Sequence, residues 1–358
     1  MIPHPPGCDA LFSVTLMRRD RESETQKSGI GRYGDKAERN IIAHGGRCNN
    51  IYFIFNKSSG ILTGIRKGFI EPLMQLINNN GKSDIYHAVD ELSGIYLPFA
   101  RGKKVVTFHH VTTPDEDISG SLGHILWRVA AKIVLRSADV VLAASPQTRD
   151  EMVKRYGMDP KDIDVLTIEI GDQFRKIEGA KRSKSVLCVS SLIKRKNVAA
   201  LIRAFGKVIE MPGMSDAELI ICGKGSEYGR LLQLTKELGL EDNTEFVSGL
   251  SDDDIVRLYN SASVSVLPTS HEGLGLTIIE AQRCHTPVLY FEDAQIPEEV
   301  RRYAVPCAGE EGLAEQMFRC LSDEGYRNGI ADAAQEYADG FGNDFGDRLF
   351  EIYENLIK

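Results

Sequence analysis

Pro268-Thr269-Ser270-His271-Glu272-Gly273-Leu274-Gly275-Leu276-Thr277-Ile278-Ile279-Glu280-Ala281 is the stretch on which the fold turns. The apolar run Val264–Leu267 precedes it and an apolar helical pattern follows, so a buried strand passes through a glycine turn into a helix. Gly273 and Gly275 at such a turn let backbone amides approach an anion, and the positive end of the next helix adds to the attraction. A phosphate is the natural guest. Glu272 stands before the turn and Glu280 about two helical turns beyond it, so both carboxylates can face one site. A carboxylate pair repels phosphate, but each carboxylate accepts hydrogen bonds from vicinal hydroxyls of a sugar or a ribose.

Outward from this segment, short β-rich runs alternate with helical patterns, the rhythm of parallel sheets built from βα units. In the first half the pattern predicts strands at Phe12–Leu16, Ile51–Phe55, Asp84–Val89, Val105–Phe108 and Val140–Ala144. Helices are expected at Arg32–Ala43, Phe69–Ile77 and Leu122–Leu135, and Ser145-Pro146 opens another that runs to about Tyr156. The pattern lapses around Thr167–Ala180, a linker, and then restarts. Strands follow at Ser185–Val189, Glu218–Cys222, Thr244–Val247, Val264–Leu267 and Val288–Tyr290, each with a helical segment after it. Ser251-Asp252-Asp253-Asp254 has the form of a capping box with an acidic first turn. The expectation is an α/β protein of two doubly wound, Rossmann-like domains, residues 1–166 and 180–339, whose parallel sheets face each other across a cleft.

Composition narrows the class. The chain has 358 residues, 42% of them apolar and 26% charged, which suits two globular domains. No stretch approaches about 18 consecutive apolar residues, and the start Met1-Ile2-Pro3-His4-Pro5-Pro6 lacks the pattern of a secretory signal. The seven cysteines show no Cys-x-x-Cys spacing, which argues for free thiols in a reducing cytoplasm and against a zinc site. Net charge is −8, unfavourable for nucleic acid. Yet residues 1–165 carry 22 basic against 19 acidic side chains, and the remainder 21 against 32, so an anionic partner fits the first half better. Arg128, Lys132 and Arg136, with Trp127 nearby, form a stripe that suits either a solvated helix face or an anionic membrane at the inner surface of the cell.

The glutamate pair also matches the E-x7-E signature of retaining GT-B glycosyltransferases of the group-1, family-four type, and other segments agree in order and spacing. Val189-Ser190-Ser191-Leu192-Ile193-Lys194-Arg195-Lys196-Asn197 resembles the family's donor loop, and Ile221-Cys222-Gly223-Lys224-Gly225 its V-G-x-G turn. Phe246-Val247-Ser248-Gly249 with Leu258-Tyr259 and Ala262 resembles F-x-G…L-Y-x-x-A. In the first half, Ser28-Gly29-Ile30-Gly31-Arg32-Tyr33 resembles the glycine loop after the first strand. Thr107-Phe108-His109 resembles T-x-H-D, and Ala138-Asp139 through Ser145 resembles A-D-x5-S. The resemblance is mannosyltransferase-like, since some such members also carry a small hydroxyl residue where Ser190-Ser191 stand.

The resemblance implies transfer of a sugar from a nucleotide diphosphate (GDP-mannose-like or UDP-linked) to a saccharide or lipid-linked acceptor, with retention and without metal or cofactor. It places the donor on Ser191, Arg195, Lys196, Gly223, Val247, Gly249, Leu250, Glu272 and Glu280, with amides from Gly273, Leu274, Gly275 and Leu276. Glu280 would hold the ribose, Glu272 the transferred sugar, and Lys196 the departing diphosphate. Glu272, Lys196 and His109 would be the catalytic residues, with Gly29, Ile30, Gly31, Arg32 and His110 on the acceptor side. It also implies that residues 340–358 pack back on the first domain. Two positions depart from the pattern: Ser190-Ser191 stand where many members have Gly-Arg, and His110 replaces the usual aspartate. Taken singly, Gly29-x-Gly31 and Gly223-x-Gly225 equally fit ordinary turns. The triplets Asp115-Glu116-Asp117 and Asp252-Asp253-Asp254 fit solvated loop and helix-start charges better than metal ligands. Two other classes share the architecture: a phosphorylase or epimerase, and a non-catalytic subunit that binds a nucleotide sugar.

Overall fold

Hydrophobic runs become two parallel sheets in the computed structural model, which describes residues 11–19, 29–53, 66, 70–109, 111 and 121–358, without side chains at 19, 53 and 121–128. Contacts divide the chain into two units, Met1–Glu169 with Gly342–Lys358, and Ile170–Phe341.

The first unit holds strands β1 (Ser13–Arg19), β2 (Arg47–Phe53), β3 (Ile85–Ala88), β4 (Lys103–Phe108), β5 (Val140–Ala143) and β6 (Ile163–Val165), in the order β2-β1-β3-β4-β5-β6. All pairs are parallel, with Val14 opposite Cys48 and Ile85, and Val105 opposite His87 and Val140. The central strands are buried on both faces and read as continuous apolar runs, as parallel strands must. The helix after β1 is Gly29–Ala43, three residues longer at its start than the pattern predicts. Gly29, Ile30, Gly31 and Arg32 therefore make its first turn and are not a free loop. Helix Pro146–Tyr156 starts where expected: the Ser145 hydroxyl accepts from the Thr148 amide, Pro146 fills the first position, and Gly157 ends it with a left-handed φ of 71°.

The final helix, Phe345–Ile357, packs on helix Gly29–Ala43 of the first unit. Its Phe345 and Tyr353 are fully buried, the Tyr353 hydroxyl meets His87 Nδ1 at 2.6 Å, and Phe12 stacks edge-on against the Tyr353 ring. His87 Nε2 then meets Thr107 Oγ1 at 2.8 Å, and Thr107 meets the Tyr33 hydroxyl at 3.0 Å. Burial, with help from nearby His109, lowers the His87 pKa to about 3, so the imidazole stays neutral.

The second unit repeats the plan with β7 (Ser185–Val189), β8 (Glu218–Cys222), β9 (Thr244–Val247), β10 (Val264–Leu267), β11 (Val288–Phe291) and β12 (Val305–Cys307), ordered β12-β11-β10-β7-β8-β9. Two strands escape the sequence pattern, β6 and β12. Both are three-residue edge strands, half exposed, and β12 carries Pro306, which an edge tolerates. Strand order reverses between β7 and β10, which lie side by side although β8 and β9 intervene in the chain. The loops leaving the carboxyl ends of these two strands flank a topological switch point, the place where open α/β sheets offer a crevice.

Candidate active site

Both loops at that switch point carry the residues singled out from sequence. After β7, residues 190–193 lead to a one-turn helix, Lys194–Lys196, and Asn197 turns the chain with a left-handed φ of 50° into helix Val198–Ile209. After β10, residues 268–275 lead to helix Leu276–Arg283, with Gly275 at a φ of 85° as its N-cap. That φ favours glycine, and a Cβ there would also crowd the Glu272 side chain.

The two loops are stitched together. The Ser270 amide and hydroxyl each donate to the Arg195 carbonyl at 3.1 Å, and the Arg195 guanidinium donates to the His271 carbonyl. Thr269, fully buried, donates to the same carbonyl at 2.9 Å. A third segment joins from after β11: the Glu272 amide donates to the Gln295 carbonyl at 2.9 Å, and the Gln295 amide to that of Ser270. His271 Nδ1 lies 3.3 Å from Gln295 Oε1. Sequence reasoning missed Thr269 and Gln295, whose roles depend on backbone groups no motif reveals.

Three charged side chains converge here. Lys196 Nζ donates to Glu272 Oε1, and the Arg195 guanidinium stands 3.6 Å from Glu272 Oε2. Glu272 is only 7% exposed, so its negative charge is held by two cations drawn from consecutive positions of the other loop. Glu280, 2% exposed, lies in the helix that Gly275 opens. Its charge adds to burial in pushing the neighbouring Cys284 thiol up to about 12. The helix itself is anchored from behind: the Arg182 guanidinium donates to the carbonyls of Tyr259, Ala262, Cys284 and His285 and to the Thr286 hydroxyl.

The glycine turn at the end of β8 supports the loop after β7. A Cβ on Gly223 would stand 1.8 Å from the Ser190 carbonyl oxygen, and one on Gly225 would stand 2.1 Å from that of Leu192. The Ser190 amide donates to the Cys222 carbonyl at 3.0 Å, the Leu192 amide to that of Lys224 at 2.8 Å, and the Gly223 amide to that of Val247 at 2.9 Å. Val247 and Leu250 are half buried, Ser191 and Gly249 are exposed, and Gly249 has a φ of 75°. Lys224 Nζ reaches to 4.0 Å from where a Gly249 Cβ would be. Its cation stands beside the loop after β9, a neighbour that the spacing alone does not suggest.

Asp252, Asp253 and Asp254 form the first turn of helix Asp252–Ser261, where Asp254 completes the capping box with Ser251 and pairs with Arg257. No group of three or more metal-ligating side chains stands together among the described residues. Residues 115–117 lie outside them, as does His110.

In the first unit, His109 directly follows β4, and its Nε2–H donates to the Val89 carbonyl at 2.8 Å. The Tyr33 ring meets it edge-on at 4.8 Å. Gly31 accepts from the buried Arg18 guanidinium at 3.0 Å, and Arg18 also pairs with Asp35 at 2.5 Å. The helix start Gly29–Arg32 is thus fixed from β1, beside the point where strand order reverses between β1 and β3.

Comparison with known proteins agrees with this architecture. The family model of glycosyl transferases group 1 matches residues 170–337, and that of glycosyltransferase family 4 matches residues 34–167. A D-inositol 3-phosphate glycosyltransferase of Kribbella flavida is 27% identical over 299 residues, 75% of this chain and 70% of the relative. An MMP alpha-(1->4)-mannosyltransferase of Mycolicibacterium hassiacum is 26% identical over 305 residues, 75% of this chain and 73% of its own. Among solved structures, sucrose-phosphate synthase from Thermosynechococcus elongatus superposes with a TM-score of 0.78 at 17% identity, covering 96% of this chain and 99% of that one. Anabaena HepE, solved with UDP and glucose, gives 0.75 at 15% identity, covering 96% and 100%. With both halves matched by family models and the fold shared with solved GT-B enzymes, this chain belongs to the group-1, family-four glycosyltransferases.

Proposed function

We propose that the protein transfers a hexose from a nucleotide-diphosphate sugar to a saccharide or lipid-linked acceptor with retention of configuration. The observation that carries this is the cluster of Lys196, Arg195 and Glu272 at the switch point, beside a glycine-opened helix start. HepE, the structural neighbour at TM-score 0.75, was solved with UDP and glucose, which supports a nucleotide-sugar donor.

Each group has a task that its chemistry suits. Amides of Gly273 to Leu276 and the positive end of helix Leu276–Arg283 receive the diphosphate. Lys196 leaves Glu272 for the phosphate and neutralises the charge that builds as the glycosidic bond breaks. Glu272, so released, accepts hydrogen bonds from hydroxyls of the transferred sugar, and Glu280 from those of the ribose. Ser191, Arg195, Gly223, Val247, Gly249 and Leu250 complete the donor side. His109 and the helix start Gly29–Arg32 serve the acceptor. Because lysine and amides supply the positive charge, turnover needs no divalent ion.

A non-catalytic, nucleotide-sugar-binding role has one observation in its favour: Ser191 is exposed and brings no cation where many relatives have arginine. One experiment separates the readings. The purified chain is screened for thermal stabilisation by UDP, GDP and their sugars, then assayed for nucleotide release with and without EDTA. A donor at ~100 times its dissociation constant raises stability by about 2.7 kcal/mol. Release unaffected by EDTA supports the proposal, stabilisation without release supports the binding subunit, and absence of both sinks each.

A further inference from the structure

We propose that Tyr33 is a positioning residue for sugar transfer, holding the His109 imidazole in one orientation and one tautomer. Its importance for turnover rests on the role proposed above for His109.

An imidazole bonded through one nitrogen alone is poorly fixed, because its two neutral tautomers exchange and rotation about χ2 is broad. His109 is half-buried directly after β4, and its Nε2–H donates to the Val89 carbonyl at 2.8 Å. A carbonyl only accepts, so the proton sits on Nε2 and the neutral ring keeps Nδ1 as its acceptor. A half-turn about χ2 would carry Nε2 away from Val89, so the tautomer survives only while the ring holds its plane. The Thr148 hydroxyl donates to the His109 carbonyl at 3.2 Å, which fixes the backbone and not the ring. The ring itself meets Tyr33 at a centroid separation of 4.8 Å and an interplanar angle of 83°. Edge-to-face pairs prefer separations of about 4.5–7 Å, and a contact at the short end of that range resists rotation of either ring.

Tyr33 is itself held on several sides. It is fully buried about one turn into helix Gly29–Ala43, and its hydroxyl meets Thr107 Oγ1, two residues before His109, at 3.0 Å. Its ring lies edge-on to Phe345 at 5.4 Å and to His87 at 6.2 Å. His87 in turn joins Thr107 at 2.8 Å and the Tyr353 hydroxyl at 2.6 Å. A neutral imidazole donates through one nitrogen and accepts through the other, which suits the two hydroxyls on either side of His87. Burial raises the Tyr33 phenol pKa, with the Thr107 bond opposing it only in part. Tyr33 therefore keeps its proton and is not an acid or base of the reaction. Phe345 and Tyr353 belong to the final helix, which thus reaches His109 through Tyr33.

The test reads the ring and the rate separately. The full chain, labelled with heavy-nitrogen histidine, is studied by NMR without ligand at about pH 8, where ordinary imidazoles are neutral. The spectrum of His109→Gln identifies the His109 signals. Wild-type protein should show the Nε2–H tautomer. Tyr33→Leu should show both tautomers in exchange and lose about 10–10²-fold in kcat, with donor KM near the wild-type value. Tyr33→Phe, which keeps the ring, should recover the single tautomer and most of the rate. A side chain that only filled the core would lower the melting temperature of Tyr33→Leu and leave the tautomer alone. The proposal is overturned if wild-type His109 carries its proton on Nδ1, or if folded Tyr33→Leu keeps the wild-type tautomer or the wild-type kcat. Should Tyr33→Leu fail to fold, Phe345→Leu takes its place by removing the ring behind Tyr33, and unmoved His109 signals there are equally fatal. If the wild-type chain released no nucleotide, the transfer reading would fail, and the ligand-free spectra would still decide whether Tyr33 holds His109.

Discussion

Lys196→Ala is the perturbation most sharply constrained by the geometry. Its ammonium sits on Glu272, and the nearest remaining cation, Arg195, is 3.6 Å from the other carboxylate oxygen. A unit charge about 4 Å from a developing phosphate charge contributes about 4 kcal/mol at an effective dielectric constant near 20. Part of that attraction already exists in the bound donor, so about 3–4 kcal/mol falls on the transition state, the usual worth of a preorganised electrostatic group. Turnover should therefore fall roughly 10²–10³-fold, with a smaller change in donor affinity. Stability also falls, since Glu272 is left with one partner. The cost is about 1–3 kcal/mol, below the full penalty for orphaning a buried charge because Arg195 stays. The assay is nucleotide release under saturating donor at a temperature well below the measured melting point of the variant. Glu280→Ala is the contrast: the proposed hold on the ribose would be equal before and during reaction, so donor KM should rise while kcat holds. Near-wild-type turnover by folded Lys196→Ala protein would refute the assignment of the leaving-group charge to Lys196.

Two further outcomes follow from the His87 network. Tyr353→Phe keeps the ring against Phe12 but removes the hydroxyl from His87 Nδ1, so urea denaturation should show a loss of about 1–2 kcal/mol; unchanged stability would mean the bond is immaterial. The unfolded His87 imidazole takes a proton near pH 6.5, whereas burial holds the folded one back to about pH 3. Its contribution is therefore complete above about pH 6.5 and is lost as pH falls toward 3, with a slope of up to about 1.4 kcal/mol per pH unit. Denaturation midpoints of His87→Gln between pH 6.5 and 4 should lack that slope; equal slopes in both proteins would contradict it.

Most of the fold was legible because the central parallel strands, buried on both faces, leave apolar runs, and ten of the twelve strands were located. Even so, β2 starts at Arg47 rather than Ile51, its half-exposed polar residues Arg47 to Asn50 hiding the first half. The two strands that were not located, Ile163–Val165 and Val305–Cys307, are short edges whose exposed residues dilute the signal. The helix at Gly29–Ala43 begins earlier than its pattern because two glycines mask a first turn that Arg18 holds from β1. At the site, the spacing of Glu272 and Lys196 was visible, but not their mutual ion pair, which depends on β7 and β10 being neighbours. Gly223 shows how residue type and cause can part. From sequence it belongs to a donor-binding turn; in space a Cβ there would lie 1.8 Å from the Ser190 carbonyl oxygen, a backbone atom that cannot rotate away. Glycine is required at that position by the packing of two loops, whatever the donor contributes. Gly223→Ala should thus push the Ser190–Leu192 backbone aside, break the hydrogen bond from the Ser190 amide to the Cys222 carbonyl, and cost about 3 kcal/mol. Urea denaturation without any ligand measures this directly, and native stability in Gly223→Ala would show that the loop yields without strain.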